Sequence, residues 1–109
     1  MYLISPTARR EIAECGLHIL EKTGSLDASE RWMDDLTAAF RRIEQSPRIG
    51  RPRPELRRGL RSHLFRSHTI FYRVRPGGIE IARVLHQRRD LRKAFPKRAQ
   101  RTELKRKQR

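Results

Sequence analysis

Three histidines (His63, His68 and His86) fall in the second half of the chain, close to Tyr72, Arg61, Arg66, Arg83 and Arg88. These are the residue types that RNA cleavage by an internal 2′-hydroxyl requires. A base takes the hydroxyl proton, an acid protonates the leaving oxygen, and cations stabilise the phosphorane. Each also has a plainer structural use. His86 follows a strand-like stretch and can hydrogen-bond backbone in the next turn. Tyr72 lies within the Ile70/Val74 alternation and suits core packing, as does Trp32 in a helical stripe. Asp90 can cap a helix or pair with Arg88 or Arg89. Cys15 falls on a helical stripe and reads as a small buried hydrophobe. No His, Cys, Asp and Glu cluster has metal-ligand spacing, and CxxC, HExxH, GxGxxG and Walker sequences are absent. Neither a metal nor a cofactor is expected.

A second set of residues suits contact with a macromolecule: Arg61, Arg66, Arg73, Arg83, Arg88, Arg89 and Arg92. Arginine forks match carboxylate and phosphate bidentately. Strand alternation constrains two of them. Arg73 shares a face with Thr69 and Phe71, whereas Arg83 alternates with Ile81 and Leu85. At least one must leave an apolar row or pair with an acid, either Glu80 or an acidic helix residue.

Charge makes the same distinction between the halves. The 109-residue chain has a net charge of +15, yet residues 1–45 sum to −2 and residues 46–109 to +17. So lopsided a distribution points to an anionic partner. With 36% hydrophobic residues, the chain can bury one modest core in one domain, not a deep substrate cavity. The single cysteine excludes an intrachain disulfide framework and fits a reducing compartment. No long apolar run supports a membrane span, and Arg9, Arg10, Glu11 and Glu14 occupy the place of a secretory h-region. A cytoplasmic location is expected.

The elements that must position these residues follow from periodicity. Tyr2–Ile4 reads as a short strand, after which Ser5 can cap a helix and Pro6 suits its first turn. Ala8, Ile12, Cys15 and Ile19 form one helical stripe that Thr23-Gly24 ends. Asp27 and Glu30 have capping-box spacing ahead of a second stripe, Ala28, Trp32, Leu36, Ala39, Phe40 and Ile43, closed by Ser46-Pro47. Residues 50–59 read as a loop. Residues 60–65, 69–75 and 79–86 read as strands, the last two joined by Pro76-Gly77-Gly78, and Asp90 can cap a short helix over 91–95. The helical hairpin is expected to cover one face of an antiparallel sheet, an α+β fold of order β-α-α-β-β-β-α. Residues 96–109 are expected to be a basic tail, disordered or ordered by a partner.

Three stretches resemble the RelE/ParE superfamily of toxins from type II toxin–antitoxin systems, and the ParE-like branch in particular. They are YLISPTARREI, IEQSPRIGRPRPELRRGLRS and HTIFYRVRPGGIEIARVLHQRRDL. The resemblance spans about residues 2–95. It implies a ParE-like toxin domain that binds and inhibits DNA gyrase. A ParD-type antitoxin, acidic and with a ribbon-helix-helix N-terminus, would neutralise it, and DNA would be reached only through that antitoxin. RelE-type relatives cut ribosome-bound messenger RNA. In that alternative Arg88 matches a catalytic arginine, with His86, Tyr72 and Arg61 as companions. Two positions depart from the ribonuclease pattern: Thr69 replaces an arginine, and Ala94-Phe95 stand where a tyrosine belongs. Both departures weaken phosphate stabilisation and base stacking, so binding rather than catalysis is expected.

Overall fold

Two tight turns fold β3 (Leu60–Phe65), β4 (His68–Arg75) and β5 (Gly78–His86) into an antiparallel meander. The first turn places Arg66 at φ 53°, and the second places Gly77 at φ 82°, the left-handed region that glycine enters without strain. The computed structural model describes residues 1–96; the basic tail expected beyond Pro96 lies outside the described residues. Before the meander come β1 (Tyr2–Ile4), α1 (Pro6–Thr23), α2 (Leu26–Gln45) and β2 (Arg51–Pro52), and after it α3 (Leu91–Ala94).

Among the described residues the sheet has five strands in the order β1-β5-β4-β3-β2. Its meander is antiparallel, as the sequence implies, but β1 lies parallel to β5, so the whole sheet is mixed. Gly78 permits that pairing, because a Cβ there would collide with the Met1 carbonyl, which instead accepts from the Ile79 N–H at 3.2 Å. A short strand, β2, also forms within the stretch read as loop, with Arg51 opposite Ser62.

Ser5 ties β1 to α1. Its Oγ accepts from the Ala8 N–H at 3.0 Å and donates to the Ala82 carbonyl at 2.7 Å, while its N–H donates to Ile81. One side chain thus caps the helix and fixes its start against β5. Gly24, at φ 67°, closes α1. The cap of α2 is Ser25, not Asp27: Ser25 Oγ accepts from the Ala28 N–H at 3.1 Å. Starting two residues early leaves Asp27 in the first turn, where its carboxylate still complements the helix dipole. The buried stripe of α2 includes Ser29 in place of Ala28, and Ser29 Oγ donates to the Gly16 carbonyl at 2.8 Å across the hairpin.

Two cores result. Ala8, Ile12, Trp32, Leu36, Phe40 and Ile43 pack on Ile70, Tyr72, Ile79, Ile81 and Val84. On the far face of the sheet, Leu60, Phe71 and Leu85 lie under Ala94 and Phe95. A register slip at Phe71/Tyr72 is the reason Ile81 and Val84, three apart, both reach the helices. The extra residue turns Arg83 toward Phe71 and Leu85 instead of leaving it in a row with Ile81.

Tyr72 anchors the crossing from the helices to the sheet. Fully buried, it donates to the Pro47 carbonyl at 2.6 Å and accepts from the Gly50 N–H at 2.8 Å. A Cβ on Gly50 would sit 2.5 Å from that hydroxyl and 2.9 Å from the Ser62 carbonyl. Gly50→Ala should therefore cost about 1–3 kcal/mol by overpacking. Tyr72→Phe should cost about 1–3 kcal/mol by orphaning a buried N–H. Urea melts should show both as a lower midpoint at unchanged slope; wild-type midpoints would refute the anchor.

Candidate functional site

Beyond Ile81 no strand among the described residues covers the outer edge of β5, and α1 crosses it there. Glu11 meets that edge. Its Oε1 accepts from the Val84 N–H at 3.0 Å, and its Oε2 accepts from Arg83 Nε and Nη2 at 3.0 and 2.7 Å. The third guanidinium nitrogen, Nη1, donates to the Ala94 carbonyl at 2.7 Å, and the guanidinium lies 5.7 Å from the Phe95 ring centroid. The two side chains are only 18% and 14% exposed, so the pair is largely desolvated and its hydrogen bonds are what make it tolerable.

Further along the same edge, α1, the start of α2, the β3–β4 turn and β5 enclose an open groove of about 540 Å³. Cys15, Ile19, Trp32, His68 and Val84 line it, with Glu11 and Glu14 on the α1 side and Arg66 and Arg89 on the other. Aromatic rings form its floor, Trp32 to His68 at 5.5 Å and His68 to His86 at 5.2 Å between centroids, with Phe65 backing Trp32 at 5.7 Å. Burial, then the neighbouring His86, holds the His68 imidazole below its ordinary range. Burial, then Glu11 and Glu14, pushes the Cys15 thiol up, so it stays protonated, 3.4 Å from His68 Nε2. A protonated thiol in this field suits packing, not nucleophilic attack.

The residues suggested for RNA cleavage do not converge. Tyr72 and Arg61 meet at the Pro47–Gly50 bend, where Arg61 Nη1 donates to the Gly50 carbonyl at 2.7 Å. His86 pairs with His68, four residues along β4 from Tyr72, or roughly 13 Å at ~3.3 Å per residue. Burial pushes the Tyr72 phenol up, and its proton is already committed to Pro47. His86 Nδ1 accepts from the Arg88 N–H at 3.1 Å, the turn-holding role its position suggests, and Asp90 caps α3 through the Arg92 N–H. His63 is held low by burial and then by Arg42.

The arginines suggested for macromolecular contact divide as well. Arg83 is taken up by Glu11, and Arg73 lies 4.0 Å from Glu80, which also pairs with Arg75. Arg66 pairs with Asp35 and lies over the Phe65 ring. Arg88, Arg89 and Arg92 are exposed. Sequence reasoning missed Glu11 and Glu14 as site residues. The available signal was a carboxylate one turn after Ala8, beside the apolar stripe, together with an arginine that strand alternation left in need of an acid.

A solved chain described as "Chromosomal ParDE TA system from P. aeruginosa" superposes with a TM-score of 0.66, covering 78% of this chain and 92% of its own. At 20% identity, that likeness speaks for the fold. Toxin ParE1 of Mycobacterium tuberculosis is 41% identical over 91 residues, 83% of this chain and 92% of the relative. Toxin ParE1 of Caulobacter vibrioides is 33% identical over 86 residues, 79% and 88% of the two chains. The family model "ParE toxin of type II toxin-antitoxin system, parDE" matches residues 2–91. The chain belongs to the ParE family of type II toxins.

Removing either half of the Glu11–Arg83 pair strands the other in a dry site. Glu11→Ala and Arg83→Ala should each cost on the order of 3 kcal/mol, and the double variant less than their sum. Additive losses in denaturant melts would contradict the pairing. The His68 shift gives a second expectation. The unfolded chain takes up a proton near pH ~6.5 while folded His68 resists it. Stability should be complete above that pH, fall as pH drops through it, and level off below the folded value. His68→Gln should make the fall between pH 7.5 and 5.5 shallower, with His63 accounting for what remains; an unchanged slope would count against it.

Proposed function

We propose that this chain inhibits DNA gyrase by binding it, and that a ParD-type antitoxin neutralises it by occupying the groove beside β5. The observation that carries this reading is the family match over residues 2–91. The groove supports the second half: its floor is apolar and aromatic, it opens to solvent, and a helical or extended segment could lie along it. The exposed Arg88, Arg89 and Arg92 offer cations to an acidic target or antitoxin surface and would speed encounter. A protein acting this way in the bacterial cytoplasm needs no cofactor and reaches DNA only through its partners. The ribonuclease alternative gains little from the geometry, because Tyr72 and Arg61 spend their polar groups on the Pro47–Gly50 backbone.

Purified full-length chain should block gyrase supercoiling of relaxed plasmid, and prior mixing with the antitoxin should restore it. Undisturbed supercoiling at molar excess of the chain would remove the target. New codon-positioned ends on translated messages would favour RNA cleavage instead.

A further inference from the structure

The groove beside β5 has walls of opposite charge. On the α1 wall, Glu11 is consumed by Arg83 and Val84, whereas exposed Glu14 has no ion pair among the described residues. On the opposite wall, exposed Arg89 likewise has none among the described residues, and Arg66 is shared with Asp35. Between them lie Cys15, whose thiol burial holds protonated, and His68, whose imidazole burial disfavours charging. A chain of +15 net charge invites the expectation of a uniformly acidic partner. This groove would penalise one, because a carboxylate laid along the α1 wall meets Glu14.

The edge itself favours one backbone form. An added strand would need the outward N–H of Val84 and the carbonyl of Ala82, and both are already bonded, to Glu11 and to Ser5 Oγ. The side chains of Ser5 and Glu11 therefore close this stretch of β5 against strand addition. A helix satisfies its own backbone groups and asks only for an apolar floor, which Ile19, Trp32 and Val84 provide.

We propose that the groove selects an amphipathic antitoxin helix with oppositely charged flanks, a lysine or arginine facing Glu14 and an aspartate or glutamate facing Arg89. This rests on the groove being the antitoxin's seat. Glu14 is then a specificity-determining residue: it fixes which way round the helix lies and rejects antitoxins whose docking segment is acidic on both flanks. The assignment concerns only exposed charges at the groove rim, so changing them leaves both cores untouched.

The test uses the full chain with a ParD-type antitoxin that binds it. Calorimetry should show Glu14→Lys and Arg89→Glu each weakening the complex about tenfold at low salt and less at high salt. Reversing one basic residue of the antitoxin to glutamate should restore Glu14→Lys, and reversing one acidic residue to lysine should restore Arg89→Glu. Hydrogen exchange of the wild-type complex separates this claim from the one beneath it. Protection over Glu14–Ile19 and Val84–His86, with unchanged or tighter binding by Glu14→Lys, would overturn the charge pattern while keeping the groove as the seat. Protection confined to other surfaces would overturn both.

Discussion

One carboxylate holds the three layers of this protein together. Glu11 projects from α1 onto the uncovered edge of β5, takes the Val84 N–H, and receives two guanidinium donors from Arg83. Arg83 passes the constraint on to the far face through the Ala94 carbonyl and the Phe95 ring. Phe95 meets Phe71 edge-on at 4.9 Å and lies under Arg57 as well. Without this node, the edge of β5 would carry an unsatisfied N–H, the helical hairpin would lose its buried ion pair to the sheet, and α3 would lose its clamp. Three satisfied donors offset the desolvation of two charges, which is the condition under which a buried ion pair persists.

The register slip in β5 makes that node possible. A regular strand would send Ile81, Arg83 and Leu85 to one face and leave Val84 on the other. With an extra residue at the slip, Val84 joins Ile81 under the helices, and Arg83 lies where it can reach both Glu11 and α3. The groove follows from the same geometry. Beta-1 ends at Ile4, α1 departs at a fixed angle set by Ser5 and Glu11, and the space left beside Val84–His86 is floored by Trp32 and His68.

Much of the fold was legible because it depends on local chemistry. The helix stripes, the Gly24 stop, the Pro76-Gly77 turn and the meander are all written in short-range periodicity and turn residues. What was illegible depends on distant partners. Asp27 and Ser25 both could cap α2, and the choice fell to whichever followed the Gly24 reversal. Parallel pairing of β1 rests on Gly78 leaving room for the Met1 carbonyl, and the seat of Tyr72 rests on Gly50, 22 residues away. The second core under Phe95 could not be read from a four-residue helix. For the candidate site, the family was readable from contiguous motifs, while the groove was not, because its acidic wall comes from the half of the chain whose charge looked unremarkable. Strand alternation did show that Arg83 or Arg73 needed an acid, and both have one.

The most direct check on this account is the amide exchange rate of Val84 measured by NMR against that of Ile70, its neighbour in the sheet interior. With Glu11 in place, Val84 should exchange nearly as slowly as Ile70. In Glu11→Ala the Val84 rate should rise at least about tenfold relative to Ile70, because an edge N–H has lost the Glu11 carboxylate as its acceptor. Equal Val84-to-Ile70 ratios in the two proteins would mean that the carboxylate does not hold the edge, and the layered account built on it would fail.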